Sequence, residues 1–274
     1  MVGVTTAATA DTDVAHSAAT DGNGISRAGY ALLRGAVPAD WLDELRATFD
    51  RCVLPSDQWP VPRQLSWRHS LLDLDPKVQA VCRLPALLAA VGVLIGERFF
   101  LSQVEGREPL AGGGYQGLHR DLSAHRPGDT VGALVFFDDY GPANGATRIV
   151  PGSHRAAPGE PPFDLTDESR AVQVAGAAGD ILVFDADLAH AGCLNPSGAR
   201  RRSLLICYFA DPLHASHLET ARLRGVRMDT SERFDFDNHL SSCIPARCSS
   251  ALPAMRWATD RPGPHGQLIT SRIP

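Results

Sequence analysis

The chain has 274 residues, of which 44% are hydrophobic and 21% are charged, and its formal net charge is -5. This length and composition are typical of a globular protein with one large hydrophobic core. The negative net charge argues against nucleic acid or an anionic membrane as a partner, because both attract basic surfaces. The sequence has no run of about 20 apolar residues and no N-terminal pattern of a secretory signal. We therefore expect a cytoplasmic protein.

The six cysteines are scattered along the chain and form no C-x-x-C pair. This spacing predicts neither a disulfide framework nor a zinc knuckle, so we expect free thiols. The six positions are Cys52, Cys82, Cys193, Cys207, Cys243 and Cys248.

The N-terminal part of the chain predicts a short strand and two helical regions. Residues 1–25 are small, polar and aperiodic, which predicts a disordered tail. Residues 29–34 have the pattern of a short strand, and apolar residues recur at helical spacing from 39 to 52. After a proline-rich loop, a second helical region is predicted from about 76 to 96.

The rhythm changes between residues 98 and 210, where short apolar runs alternate with Gly, Pro, Asp and Asn turns. This pattern predicts a mainly β sandwich or barrel with flanking N-terminal helices, not βαβ units. Residues 211–274 look largely irregular, which is typical of a lid over a site or of a partly disordered tail. We expect one domain over residues 26–274.

A histidine and a carboxylate two positions apart suggest a metal site. His119 and Asp121 have this spacing, and side chains at i and i+2 on a strand point to the same side. Two histidines and one carboxylate can hold iron(II) on one face and leave three positions open. The pair alone is weak evidence, because His217 and Glu219 repeat it and about one such motif is expected by chance.

The context of the two pairs separates them. After His119 come a Gly-Asp turn at 179–180, a buried strand and then His190, which supplies a third ligand from a distant strand. Arg200, Arg201 and Arg202 follow, and an arginine that points into a barrel can bind a carboxylate bidentately. Nothing comparable follows His217. His154 lies in a loop, and there we expect a hydrogen-bonding role.

Four separated motifs, in order, resemble those of the phytanoyl-CoA dioxygenase family, which includes ectoine hydroxylase and many bacterial tailoring oxygenases. The similarity runs from about residue 29 to residue 210. The motifs are Leu118 to Leu122, Asn144 to His154, Gly179-Asp180 with His190, and Asn195 with Arg201.

The resemblance implies a double-stranded β-helix, that is, a jelly-roll or cupin-like barrel, with iron(II) on His119, Asp121 and His190. It implies a dioxygenase that uses O2 and 2-oxoglutarate, hydroxylates a small molecule or natural product, and releases succinate and CO2. The family's arginine usually lies eleven positions after the second histidine, which selects Arg201, with Arg202 as the alternative. Gln103 matches a position that commonly contacts 2-oxoglutarate.

Two further positions bear on the resemblance. A small hydroxylated residue often stands two positions after the second histidine in the family, but this chain has Gly192 there. Related halogenases lack the carboxylate, so the presence of Asp121 argues against halogenation.

Two other functions remain open at this point. The first is a cupin-like metalloenzyme that does not use 2-oxoglutarate, and the second is a non-enzymatic jelly-roll binding module. The substrate is not evident from the sequence, although residues 55–69, 112–115 and the tail after Asp211 are candidates to line its site. We expect a monomer or a homodimer.

Overall fold

The computed structural model describes residues 22–61 and 63–235. Its helices confirm the two predicted helical regions, and none of the described helices is long and apolar enough to cross a membrane. The α-helices are α1 (Gly22–Ala28), α2 (Leu42–Arg51), α3 (Pro76–Val81), α4 (Pro85–Ile95) and α5 (His214–Ala221). The strands are β1 (Tyr30–Leu33), β2 (Trp67–Ser70), β3 (Phe99–Pro109), β4 (Thr130–Phe136), β5 (Arg148–Ile149), β6 (Val172–Gln173), β7 (Ile181–Asp185), β8 (His190–Ala191) and β9 (Ser203–Ala210).

The strands form two antiparallel sheets, which confirms the prediction of a mainly β protein. The larger sheet has the order β1-β7-β4-β9-β3-β2, and the smaller has the order β6-β5-β8. β1 and β2 precede residue 98, so the larger sheet begins earlier in the chain than the predicted barrel core. All four residues of β1 are buried, and they pair in register with β7.

Side chains on the larger sheet alternate between two hydrophobic clusters. Along β7, Ile181 and Val183 pack with the helices, whereas Leu182 and Phe184 pack between the two sheets with residues such as Ile149 of β5. This alternation follows from the pleat of a strand, in which successive side chains point to opposite faces. The sheet therefore has helices on one face and an interior space on the other, where polar side chains can be enclosed.

The N-terminal region is ordered earlier than predicted. Helix α1 begins at Gly22, and its Ile25 is completely buried in the cluster between the helices and the larger sheet. The prediction of disorder is therefore wrong for residues 22–25, because one isoleucine among small polar residues is enough to dock this turn of helix. Residues 1–21 lie outside the described residues.

The tail is partly regular. Residues 214–221 form α5, Leu213 and Met228 are buried, and Phe234 forms a β-bridge with Phe99. The prediction of an irregular segment is wrong here. The only residue that α5 buries is His217, so its sequence lacks the apolar spacing that would have indicated a helix. Residues 236–274, with Cys243 and Cys248, lie outside the described part of the chain. The four described cysteines are free.

Asn144 and Gly145 form a tight turn, and the close contact of this turn with residues 193–194 can be tested by substitution. Gly145 has φ +76°, and an added Cβ would lie 2.5 Å from the carbonyl oxygen of Cys193. Gly96 has nearly the same φ, +75°, but an added Cβ would meet no atom within 4 Å. We expect Gly96→Ala to cost about 1 kcal/mol of unfolding free energy. Gly145→Ala should cost about 2 kcal/mol more, because the added carbon collides with backbone.

Urea unfolding of both variants measures the difference. If both variants lose the same unfolding free energy, the backbone at residues 193–194 moves away from the added carbon without a measurable penalty, which would contradict the prediction.

Candidate metal centre

The three predicted ligands come together in the structure. The nearest ligand atoms of His119, Asp121 and His190 all lie within 4.8 Å of one another. The Asp121 carboxylate is 3.8 Å from Nε2 of His119 and 3.5 Å from Nε2 of His190. Within the described residues, no other group of three such side chains has this geometry.

The backbone around the two histidines explains how they meet. His119 and His190 form an antiparallel β-bridge, and each backbone N–H donates to the other's carbonyl at 3.0 Å. His190 opens β8 as predicted. His119 and Asp121 lie outside any regular strand, because pairing on this segment is limited to the one bridge.

The imidazole rings are oriented for metal binding. Nδ1 of His119 is 2.9 Å from the carbonyl oxygen of Gly117, and Nδ1 of His190 is 2.8 Å from that of Leu188. When Nδ1 donates to a carbonyl, the neutral ring has its free lone pair on Nε2. Both Nε2 atoms face Asp121, so the donor set fits a divalent metal.

The charges in the triad also fit this arrangement. Without a metal, desolvation raises the pKa of Asp121, but the hydrogen bond from a protonated Nε2 of His190 and the charges of the histidines and Arg107 hold it far below its usual range. Asp121 is therefore ionised at neutral pH. Burial lowers the pKa of His119, which favours the neutral ring that a metal requires. Burial also opposes the charged form of His190, but its hydrogen bond to Asp121 raises its pKa, and a bound metal would replace this proton.

A cavity beside the triad lies between the two sheets. Its wall includes aromatic and apolar side chains, mostly from the larger sheet, the ligand His190 from the smaller sheet, and two arginines, Arg107 and Arg201. Asp121 is its only carboxylate among the described residues. The other side chains that bear on the site are Trp67, Gln116, Leu134, Tyr140, Phe184 and Leu205.

Arg201 is a buried cation with no polar partner among the described residues. Only 2% of its surface is exposed, and its Nε and Nη1 atoms have no hydrogen bond within the described structure. The guanidinium carbon lies 5.0 Å from the ring centroid of Tyr140 and 5.6 Å from that of Trp67. Burial lowers the pKa of Arg201, but a guanidinium still remains charged at neutral pH. Such a group is costly unless an anion joins it.

The two neighbouring arginines are already paired. Arg202 binds Asp138 through Nε and Nη2 at 2.9 and 2.8 Å, and Arg200 binds Asp50 at 2.6 Å. Neither lines the cavity. Of the two predicted anion-binding candidates, the structure therefore brings Arg201, and not Arg202, to the triad.

Gln103 does not line the cavity. Its Oε1 accepts from Arg224 at 2.9 Å, and its Nε2 lies 3.4 Å from Glu105. It precedes Arg107 by four residues on β3, and Arg107 does reach the cavity. The sequence assignment of Gln103 to cosubstrate binding therefore has no support from this geometry.

Other sequence predictions have clear outcomes. Nε2 of His154 is 3.0 Å from the carbonyl oxygen of Ser26, as expected for a hydrogen-bonding role. His217 and Glu219 lie on α5, where positions i and i+2 do not share a face. At Gly192 an added Cβ would lie 2.6 Å from the carbonyl oxygen of Gly114, so this backbone excludes the hydroxylated residue of the family.

Sequence reasoning missed the cavity positions of Arg107 and Gln116. Gln116 accepts a hydrogen bond from the backbone N–H of Gly192 at 3.0 Å. The alternation of side chains along a strand would have placed Arg107 on the same face as Gln103 and Glu105. It would not have shown which face of the strand lies toward the metal site.

The chain belongs to the phytanoyl-CoA dioxygenase family, whose model matches residues 25–203. Among curated relatives, the dioxygenase cdmA of Talaromyces verruculosus is 31% identical over 170 residues, which are 56% of this chain and 48% of that protein. The iron/alpha-ketoglutarate-dependent dioxygenase ausO of Aspergillus calidoustus is 24% identical over 223 residues, or 70% of this chain and 72% of that protein. The chain spans about half the length of cdmA.

Solved structures show the same fold. The alpha-ketoglutarate-dependent epimerase SnoN of nogalamycin biosynthesis has a TM-score of 0.57 and 20% identity, with 69% of this chain and 81% of that one covered. EctD from S. alaskensis with bound Fe has a TM-score of 0.56 and 19% identity, with 73% and 79% covered. The predicted jelly-roll fold is thereby confirmed.

The unpaired charge of Arg201 generates a stability prediction. We expect Arg201→Met to raise the unfolding free energy of the ligand-free protein by about 1–3 kcal/mol, because it replaces a buried lone cation with an apolar chain. Arg202→Met should lower it, because Asp138 then loses both hydrogen bonds from the Arg202 side chain.

Chemical denaturation of both variants without ligand tests this contrast. Destabilisation by both substitutions would mean that the aromatic rings around Arg201 already compensate its charge.

Proposed function

We propose that this protein is an iron(II)- and 2-oxoglutarate-dependent dioxygenase that hydroxylates a small molecule. One observation carries the proposal. The ligand triad and the buried guanidinium of Arg201, which has no polar partner in the described part of the chain, line the same cavity. A metalloenzyme of this fold that does not use 2-oxoglutarate would leave Arg201 with no anion to bind.

Each residue has a distinct part. His119, Asp121 and His190 would hold the iron through two Nε2 atoms and one carboxylate. The bound iron supplies the oxidising chemistry with O2 and 2-oxoglutarate, which yields succinate and CO2. Arg201 would bind the distal carboxylate of 2-oxoglutarate as a charge-assisted pair. The apolar and aromatic side chains of Leu134, Phe184 and Leu205 and the ring of Tyr140 keep water from the site.

The comparisons support this proposal. HygX from Streptomyces hygroscopicus, solved with nickel and 2-oxoglutarate bound, has a TM-score of 0.56 and 19% identity, with 68% of this chain and 85% of that one covered. SnoN has been solved with Fe3+, alpha ketoglutarate and nogalamycin RO. These structures favour a small molecule, not a nucleic acid or a membrane, as the substrate of this chain.

The metal site generates a thermal-shift prediction. We expect Ni(II), a redox-inert stand-in for iron, to raise the Tm of the wild-type protein by mass action. Asp121→Ala should lose most of this shift, because it removes the one anionic ligand. Glu219→Ala is the control, since it removes a carboxylate from the other His-x-acid pair, and it should keep the shift. Equal shifts in the two variants would refute the assigned ligands.

The cosubstrate site generates a second binding prediction. With Ni(II) present, Arg201→Met should weaken 2-oxoglutarate at least about tenfold, because a charge-assisted bidentate pair contributes more than about 1.4 kcal/mol. The affinity for Ni(II) should not change. Calorimetric titration of both ligands measures this, with Arg202→Met as the control. Unchanged 2-oxoglutarate binding in Arg201→Met would favour the function without 2-oxoglutarate.

A further inference from the structure

The cavity contains a second arginine that the cosubstrate does not account for. Arg107 lies on β3, paired with His69 of β2 and Ser203 of β9. It lines the cavity, and its charge lowers the pKa of Asp121, so it stands near the triad. About 35% of its side chain is exposed, unlike that of Arg201.

The charge of Arg107 is only partly balanced. Its Nε donates to Glu105, and its two Nη groups make no hydrogen bond with the described residues. Glu105 is buried and also binds Nη2 of Arg63 at 2.8 Å. Burial lowers the pKa of the adjacent His69 to about 4, so this ring is neutral near pH 7. Two guanidinium groups therefore share one carboxylate.

A third arginine, Arg224, is connected to Glu105 through Gln103. We call Arg63, Arg107 and Arg224 the arginine row. Nη1 of Arg224 binds Oε1 of Gln103 at 2.9 Å, and its Nη2 is 2.6 Å from Nδ1 of His217. Burial lowers the pKa of His217 to about 4, so this partner is neutral too. Arg224 has no carboxylate within 4.0 Å among the residues that the structure describes. Arg63, Arg107 and Arg224 with Glu105 thus have a net charge of two positive units.

The cosubstrate does not use this charge. On the proposed function, iron(II), ionised Asp121, doubly charged 2-oxoglutarate and Arg201 sum to zero. The excess positive charge of the arginine row therefore remains beside the cavity that Arg107 lines, although the whole chain has a net charge of -5. A positive wall of this kind concentrates and orients anions.

We propose that the substrate carries an anionic group, a carboxylate or a phosphate, that binds the free Nη groups of Arg107. This inference rests on the proposed function and names its substrate class. Glu105 fixes Arg107 through Nε and leaves the planar Nη pair to face the ligand, which is the geometry of bidentate recognition. Arg63 and Arg224 add to the potential without touching the anion. Arg107 therefore determines specificity and orients the substrate toward the metal.

The test uses full-length protein loaded with Ni(II) and saturating 2-oxoglutarate. The probes are 4-phenylbutanoate, phenethyl phosphate and the neutral 4-phenylbutanamide, and calorimetry measures each Kd. An aromatic body suits the wall, because Trp67 lines both this cavity and an adjoining groove with Leu65 and Leu110. Arg107→Gln is the test variant and Arg107→Lys is the conservative one. Arg46→Gln, on α2 and outside the cavity, is the matched control.

We expect wild type and Arg46→Gln to bind at least one anionic probe tenfold or more tightly than the amide. Arg107→Gln should lose this preference and keep its affinity for the amide, and Arg107→Lys should retain part of it. The carboxylate and phosphate arms show which anion is preferred. Equal affinities for acid and amide in wild type, or an unchanged preference in Arg107→Gln, would overturn the inference.

The same experiment separates this inference from the proposed function. Arg107→Gln should show the wild-type Tm shift with Ni(II) and 2-oxoglutarate, and loss of that shift would assign Arg107 to the metal centre instead. Absence of the shift in wild type would refute the proposed function. A normal shift without a preference for anions would refute this inference alone.

Discussion

The alternation of side chains across the larger sheet is the constraint on which the rest of this structure depends. On β9, Leu204 and Ile206 pack toward the helices, while Ser203 and Leu205 line the cavity. On β3 the same alternation turns Glu105 and Arg107 away from the helical side. A shift of one residue in register would bury these charges against the helices and expose their apolar neighbours. The hydrophobic core thus fixes the positions of Arg107 and Ser203, the polar side chains of β3 and β9 that line the cavity.

Burial of Arg201 lowers the stability of the ligand-free protein. A buried guanidinium faced by two aromatic rings and no carboxylate is unfavourable in the ligand-free protein, because desolvation of the ion is not repaid by a partner. Arg202, one residue away, is paired with Asp138 and Asp50, outside the cavity. This contrast between neighbours separates a group held for a ligand from a group that stabilises the fold.

The three residues of the triad could be predicted from the sequence, whereas the contacts of Gln103 and the backbone conformation of Leu122 could not. His119, Asp121 and His190 were found because their spacing is local and the strand before His190 has a clear pattern. Gln103, which we expected to contact 2-oxoglutarate, instead accepts a hydrogen bond from Arg224, a residue far along the chain that no local pattern connects to it. The left-handed backbone of Leu122, with φ 60°, directly follows Asp121 and has no glycine or asparagine to signal it. Such features depend on tertiary contacts.

Two arginines in one cavity raise the question of how two anions are kept apart. Arg201 lies in a nearly dry aromatic surrounding, where an ion pair is strong because the effective dielectric is low. Arg107 is more exposed and already shares Glu105 with Arg63, so its attraction for an anion is weaker and more screened. A dicarboxylate that also chelates the metal therefore gains most at Arg201. Arg107 remains free for a second anion, whose affinity should fall more steeply with added salt.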